Sequence, residues 1–99
     1  MTHYILSPAA RADLDEIWDY SAENWGAEQA ERYVLAIRAA CEALAAGKLK
    51  GRSVEGVRAN FRKQTVGSHL LFYRVGGDGA IDLIRILHQR MDFPSRLDH

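Results

Sequence analysis

His88 stands between Arg85 and Arg90 in the run RILHQR, residues 85 to 90, and Met91, Phe93 and Pro94 follow directly. An imidazole titrates near neutrality and can pass a proton, while guanidinium groups beside it can hold a phosphate or a carboxylate. Such a cluster suits three different jobs: cleaving RNA, docking onto a protein target, or forming the polar end of a strand. Arg58, Arg62, Lys63 and Arg74 lie upstream and could extend it.

Other chemistry has little support in the residues. The four histidines, His3, His69, His88 and His99, are scattered, with no HxxxH or CxxC spacing beside them, so no metal site and no cofactor are expected. Cys41 is the one cysteine and cannot close an internal disulfide; it falls on an apolar helical position and reads as a buried thiol. Trp18, Tyr20, Trp25 and Tyr33 recur at helical spacing and are expected in the core rather than as a stacking platform for bases.

The elements that must position the cluster follow from punctuation and period. HYIL, residues 3 to 6, is a short β-type segment, and Ser7-Pro8 after it is a helix start, serine as cap and proline in the first turn. Ala10, Leu14, Ile17, Trp18, Ser21 and Trp25 then repeat every three or four residues up to Gly26, with Asp13, Asp15 and Glu16 expected to favour the early turns. A second helical pattern carries Ala30, Tyr33, Val34, Ile37, Cys41 and Leu44 and stops before Gly47. Residues 47 to 57 hold three glycines without any period and read as a connecting loop. Three β-type runs follow, 58–66, 68–75 and 80–90, the last two separated by the hairpin signal Gly76-Gly77-Asp78-Gly79. The expected fold is α+β, a β-α-α-β-β-β order with an antiparallel helix pair on a small, mainly antiparallel sheet, in one domain over residues 1 to 99.

Alternation along the last two runs assigns Leu71, Tyr73, Val75, Ile84 and Ile86 to the face under the helices. The other face then receives Leu70, Phe72, Leu83 and Leu87, interrupted by Arg74 and Arg85, and is expected to stand uncovered as an apolar patch that a partner protein would bury, the alternative being that the C-terminal tail or the loop folds over it. Charge is divided as well. Residues 1 to 46 carry three basic and eight acidic side chains, a balance of −5, and residues 47 to 99 carry ten and five, a balance of +5, so the chain is neutral as a whole. The C-terminal half suits an acidic partner or a polyanion, the alternative being an ordinary solvated surface. No apolar run approaches a membrane span and no signal peptide is visible, so a cytoplasmic location is expected.

The stretches LSPAARADLDEIWDYSAENWG (6–26), EQAERYVLAIRAACEALA (28–45), SHLLFYRV (68–75) and IRILHQRMDF (84–93) together resemble the ParE branch of the ParE/RelE toxin superfamily, in order and spacing across nearly the whole chain. The resemblance implies a bacterial type II toxin that poisons DNA gyrase without being a nuclease. It also implies neutralisation by a ParD-like antitoxin, a ribbon-helix-helix protein whose C-terminal segment folds onto the toxin; DNA would be contacted only through that antitoxin. On this reading Arg58, Arg62, Leu70, Phe72, Arg74, Leu83, Arg85 and Leu87 are expected to meet the antitoxin, and His88, Arg90, Met91 and Phe93 the target.

RelE-type relatives instead cleave mRNA on the ribosome, through attack of a 2′-hydroxyl that needs an acid, a base and cations for the transition state. The residue after His69 is Leu70, where the ribonuclease-type relatives carry an arginine, and the tail lacks their tyrosine ending. A ribosome-binding nuclease should also be strongly basic, whereas this chain has a pI of about 6.9. No catalytic residue is therefore expected, and ribosome-dependent RNA cleavage is the alternative.

Overall fold

A computed structural model describes residues 3–54 and 60–90. The elements run β1 (Tyr4–Leu6), α1 (Pro8–Trp25), α2 (Ala27–Ala45), β2 (Arg52–Ser53), β3 (Phe61–Val66), β4 (His69–Val75) and β5 (Ile81–His88). The five strands form one sheet in the order β1-β5-β4-β3-β2, antiparallel except where β1 lies parallel to β5. The expected α+β architecture is present, with one further strand, β2, a two-residue edge strand inside the expected loop of residues 47 to 57.

Local chemistry explains the starts and stops. Ser7 is extended, and its Oγ accepts from the backbone N–H of Ala10 at 2.9 Å while Pro8 opens α1. The same hydroxyl donates to the carbonyl of Ile84 at 2.7 Å, and the Ser7 N–H donates to that of Leu83 at 3.0 Å, so the cap also pins α1 to β5. Gly26 alone joins the helices; its φ of 94° is a backbone state that L side chains rarely adopt, although there is open space where a Cβ would stand. No acidic residue lies in the first turn of α1. The Asp13 side chain is buried and turned toward the sheet instead of serving the helix dipole.

One irregularity reorganises the faces. From Val75↔Ile81 to Tyr73↔Leu83 the pairing of β4 with β5 is regular, but the next pair is Phe72↔Arg85, so β5 carries an extra residue there. A bulge of this kind reverses the alternation of everything beyond it. Leu83 therefore lies in the main core with Leu71, Tyr73, Ile81 and Ile86, packed against Leu14, Ile17, Ile37, Cys41 and Leu44 of the helices, and is not on the opposite face. Ile84 takes the place expected for Leu83, packing against the second cluster.

That second cluster is not an uncovered patch. Phe61, Leu70, Phe72 and Leu87 are all buried there, with Val54, just past β2, packed against them. The expected uncovered apolar patch is therefore corrected: these side chains are already out of water, and burial against Phe61, Val54 and Ile84 supplies the cover that a partner was expected to bring.

Candidate functional site

Arg85 and His88, three residues apart on β5, have opposite fates. Arg85 was expected on the apolar outer face, but the bulge turns it toward α1. There Nε and a terminal nitrogen donate to the two carboxylate oxygens of Asp13, each at 2.8 Å, and the backbone N–H of Ile86 donates to the same carboxylate at 2.9 Å. Both side chains are largely out of water, 17% exposed for Arg85 and 10% for Asp13. The Asp13 hydrogen bond, which outweighs the cost of burial, raises the Arg85 pKa above its ordinary value. The guanidinium is thus committed to a buried, two-pronged ion pair that ties helix to sheet.

His88 ends β5 directly opposite His69, the first residue of β4. Counted back from Val75↔Ile81 without the bulge, His69 would face Leu87; the extra residue brings the two imidazoles together. Their rings meet edge to face with centroids 5.4 Å apart. The Tyr33 hydroxyl of α2 lies 2.7 Å from His69 Nδ1, accepts from the Ser68 N–H at 3.0 Å and is 3.2 Å from the Val66 carbonyl. The tight turn that makes this possible contains Gly67 at φ 57°, where a Cβ would run into the Tyr33 ring. Burial, reinforced by His88 and opposed by Asp13, lowers the His69 pKa, favouring its neutral form. On the strand's other side the backbone N–H of exposed Arg90 donates to His88 Nδ1 at 3.2 Å.

These groups line one wall of a groove of about 910 Å³ between the C-terminal half of α1, the first turns of α2 and the ends of β4 and β5. Asp13, Glu16, Ile17, Tyr20 and Ser21 reach it from one stripe of α1, Gln29 and Tyr33 from α2. Trp25 and Tyr20 stand at its lip, edge to face at 5.7 Å and 73°. They are 63% and 61% exposed, and Trp18 is 39% exposed, so the expectation that these aromatics are core holds only for half-buried Tyr33. The helical period was right and the face was not: Ala10, Leu14, Ile17 and Ser21 take the buried stripe. Among the described residues lining the groove none is lysine or arginine.

The other expected contacts are dispersed. Arg62 lies opposite Tyr73 and donates to the Gly51 carbonyl at 2.8 and 3.2 Å, bracing β2 against β3, while the Gly51 N–H donates to the Tyr73 hydroxyl at 2.7 Å. Arg74 of β4 faces Asp82 of β5 at 3.6 Å, both side chains partly in solvent. Arg58, Met91 and Phe93 lie outside the described residues. Cys41 is buried in the core, which pushes its thiol up to about 11 and leaves it an inert packing group. Sequence reasoning missed His69, Tyr20 and Trp25 as site residues; the pairing of His69 with His88 depends on a bulge that no residue type announces.

The groove thus lies at the junction of a two-helix layer packed on a five-stranded sheet of β-α-α-β-β-β-β order. Residues 4–93 match the family described as ParE toxin of type II toxin–antitoxin system, parDE, and the chain belongs to that family. It is 48% identical over 96 residues to Toxin ParE1 of Mycobacterium tuberculosis, covering 97% of this chain and 98% of that one. It is 43% identical to Toxin ParE1 of Caulobacter vibrioides, covering 98% and 99%. A solved structure of the chromosomal ParDE toxin–antitoxin system from P. aeruginosa superposes with a TM-score of 0.74 at 28% identity, covering 89% of this chain and 95% of that one. None of the helices among the described residues is long and apolar enough to cross a membrane.

Proposed function

We propose that this ParE-family toxin acts by binding and inhibiting DNA gyrase, without catalysis of its own, and that a ParD-like ribbon-helix-helix antitoxin holds it inactive. The observation that carries the reading is the near full-length identity of 43% and 48% to proteins named Toxin ParE1; the ParDE system of the P. aeruginosa structure supports an antitoxin as partner. The site adds a physical argument. A nuclease needs free cations around the reacting phosphate, whereas the described lining of this groove carries two carboxylates and no lysine or arginine, and Arg85 is consumed by Asp13. An exposed aromatic lip beside a large groove is instead the material of protein recognition.

Within this reading His88 and Arg90, at the strand end beside the groove, face the target, and Arg74, half of whose side chain is in solvent, meets an acidic stretch of the antitoxin. Purified protein is incubated with gyrase, ATP and relaxed plasmid, and in parallel with programmed ribosomes. Supercoiling stops and mRNA stays whole; cleaved mRNA with normal supercoiling would overturn the proposal in favour of a RelE-type ribonuclease.

A further inference from the structure

The histidines are scattered along the chain, but the fold brings two of them together. His69 and His88 are cross-strand partners at the ends of β4 and β5, and their rings meet with centroids 5.4 Å apart. Just beyond them the Gln89 N–H donates to the Ser68 carbonyl at 3.0 Å, which fixes the backbone that carries both rings. Two imidazoles bound to one ion through nitrogens about 2.0–2.1 Å from it, at a near-tetrahedral angle, have ring centres about 5 Å apart. The pair already stands close to that separation, and what remains is a turn about the soft Cβ–Cγ torsion of each ring.

Each ring has one nitrogen held by the protein and one left over. Nδ1 of His69 lies 2.7 Å from the Tyr33 hydroxyl, Nδ1 of His88 accepts from the Arg90 N–H at 3.2 Å, and neither Nε2 has a partner among the described residues. When the Tyr33 proton goes to the Val66 carbonyl, His69 donates from Nδ1 and its Nε2 keeps a free lone pair, the arrangement that outer partners impose on ligating histidines. His88 needs its ring proton moved from Nε2 to Nδ1. That gives up only the Arg90 hydrogen bond, which is long and exposed to water. The surroundings favour a cation: Asp13 and Glu16 line the same groove as the two rings, and no described lining residue is lysine or arginine. No third His, Cys, Asp or Glu among the described residues completes a cluster, so the remaining coordination positions fall to water on the groove side. Imidazole nitrogen suits a borderline divalent ion such as Zn²⁺, whereas Mg²⁺ and Ca²⁺ require oxygen ligands. We propose that His69 and His88 together bind Zn²⁺ at the mouth of the groove, with Tyr33 as a positioning residue behind His69. The proposal stands on the pairing of the two strand ends, and not on which enzyme the toxin inhibits.

The test titrates the full chain, free of any histidine tag, with ZnCl₂, reading the ring signals of the histidines by NMR and the affinity by calorimetry. Zn²⁺ moves the His69 and His88 signals together, in the micromolar range, while MgCl₂ at the same concentration moves neither. Tyr33→Phe weakens binding about tenfold with both rings still shifting, and His69→Gln or His88→Gln weakens it further. His3→Gln leaves it unchanged. His88 ends its strand half-exposed, so His88→Gln keeps the fold and decides the matter even where His69→Gln unfolds. Shifts confined to His3 or His99, equal affinity in the folded His88→Gln variant, or no movement of either ring at millimolar Zn²⁺ each overturns the proposal. A gyrase result of either sign changes none of these readings, so the two claims fail separately.

Discussion

Asp13–Arg85 and His69–His88 are polar clusters anchored three residues apart on β5, and they show how differently the same strand can use its polar residues. The first is sealed between α1 and the bulge, with the hydrogen bonds of both partners supplied by protein. The second lies at the mouth of the groove, with Tyr33 on one side and the exposed lip of Trp25 and Tyr20 nearby. Position relative to the bulge, and not residue type, decides which cluster supports the fold and which remains open to a partner.

If that division is right, breaking the sealed cluster has the largest effect. Asp13→Ala leaves a buried guanidinium without its counter-ion and is expected to cost about 3–5 kcal/mol of unfolding free energy, read by urea denaturation. Replacing the pair together, Asp13→Leu with Arg85→Met, recovers most of the loss, because desolvating two charges offsets much of what their attraction returns. If the single and double variants are equally unstable, the ion pair is not what joins helix to sheet.

The open cluster responds more weakly. Tyr33→Phe removes the hydroxyl that accepts from Ser68 and contacts His69, and should cost about 1–2 kcal/mol. The pH dependence has a definite sign. Burial of His69, with His88 beside it, sets its folded pKa below its ordinary value of 6.5, so as pH falls past that value the unfolded chain takes up protons before the folded one does. Stability is complete above about pH 6.5 and declines as pH falls toward the folded pKa; thermal melts between pH 7.5 and 5 should show it, and His69→Gln should flatten it. The smallest effect is that of Trp25→Ala, within about 0.5 kcal/mol of the parent, since the ring is mostly in solvent.

Much of this organisation is legible in the chain. Ser7-Pro8, Gly26 and Gly76-Gly77-Asp78-Gly79 mark helix start, helix junction and hairpin, because each meets a backbone requirement that few residue types satisfy. What strict alternation cannot reveal is the extra residue between Leu83 and Arg85. Alternation counted back from Ile86 puts Leu83 and Arg85 on the outer face, and pairing counted from Val75↔Ile81 puts His69 opposite Leu87; with the extra residue Leu83 lies in the core, Arg85 meets Asp13, and the histidines pair. Helical period likewise gave the turns of α1 and misjudged its aromatic residues, since four small or aliphatic side chains already fill the stripe that faces the sheet. Burial of Leu70, Phe72 and Leu87 depends on Phe61 and Val54, partners distant in sequence.

The central claim is that the open groove, and not the sealed pair, is where the toxin works. It is tested most directly by inducing Trp25→Ala/His88→Ala in antitoxin-free cells and following growth, with the unfolding midpoint of the purified variant measured alongside. The account predicts a folded protein, within about 1 kcal/mol of the parent, that no longer arrests growth. Full growth arrest by that folded variant would contradict it.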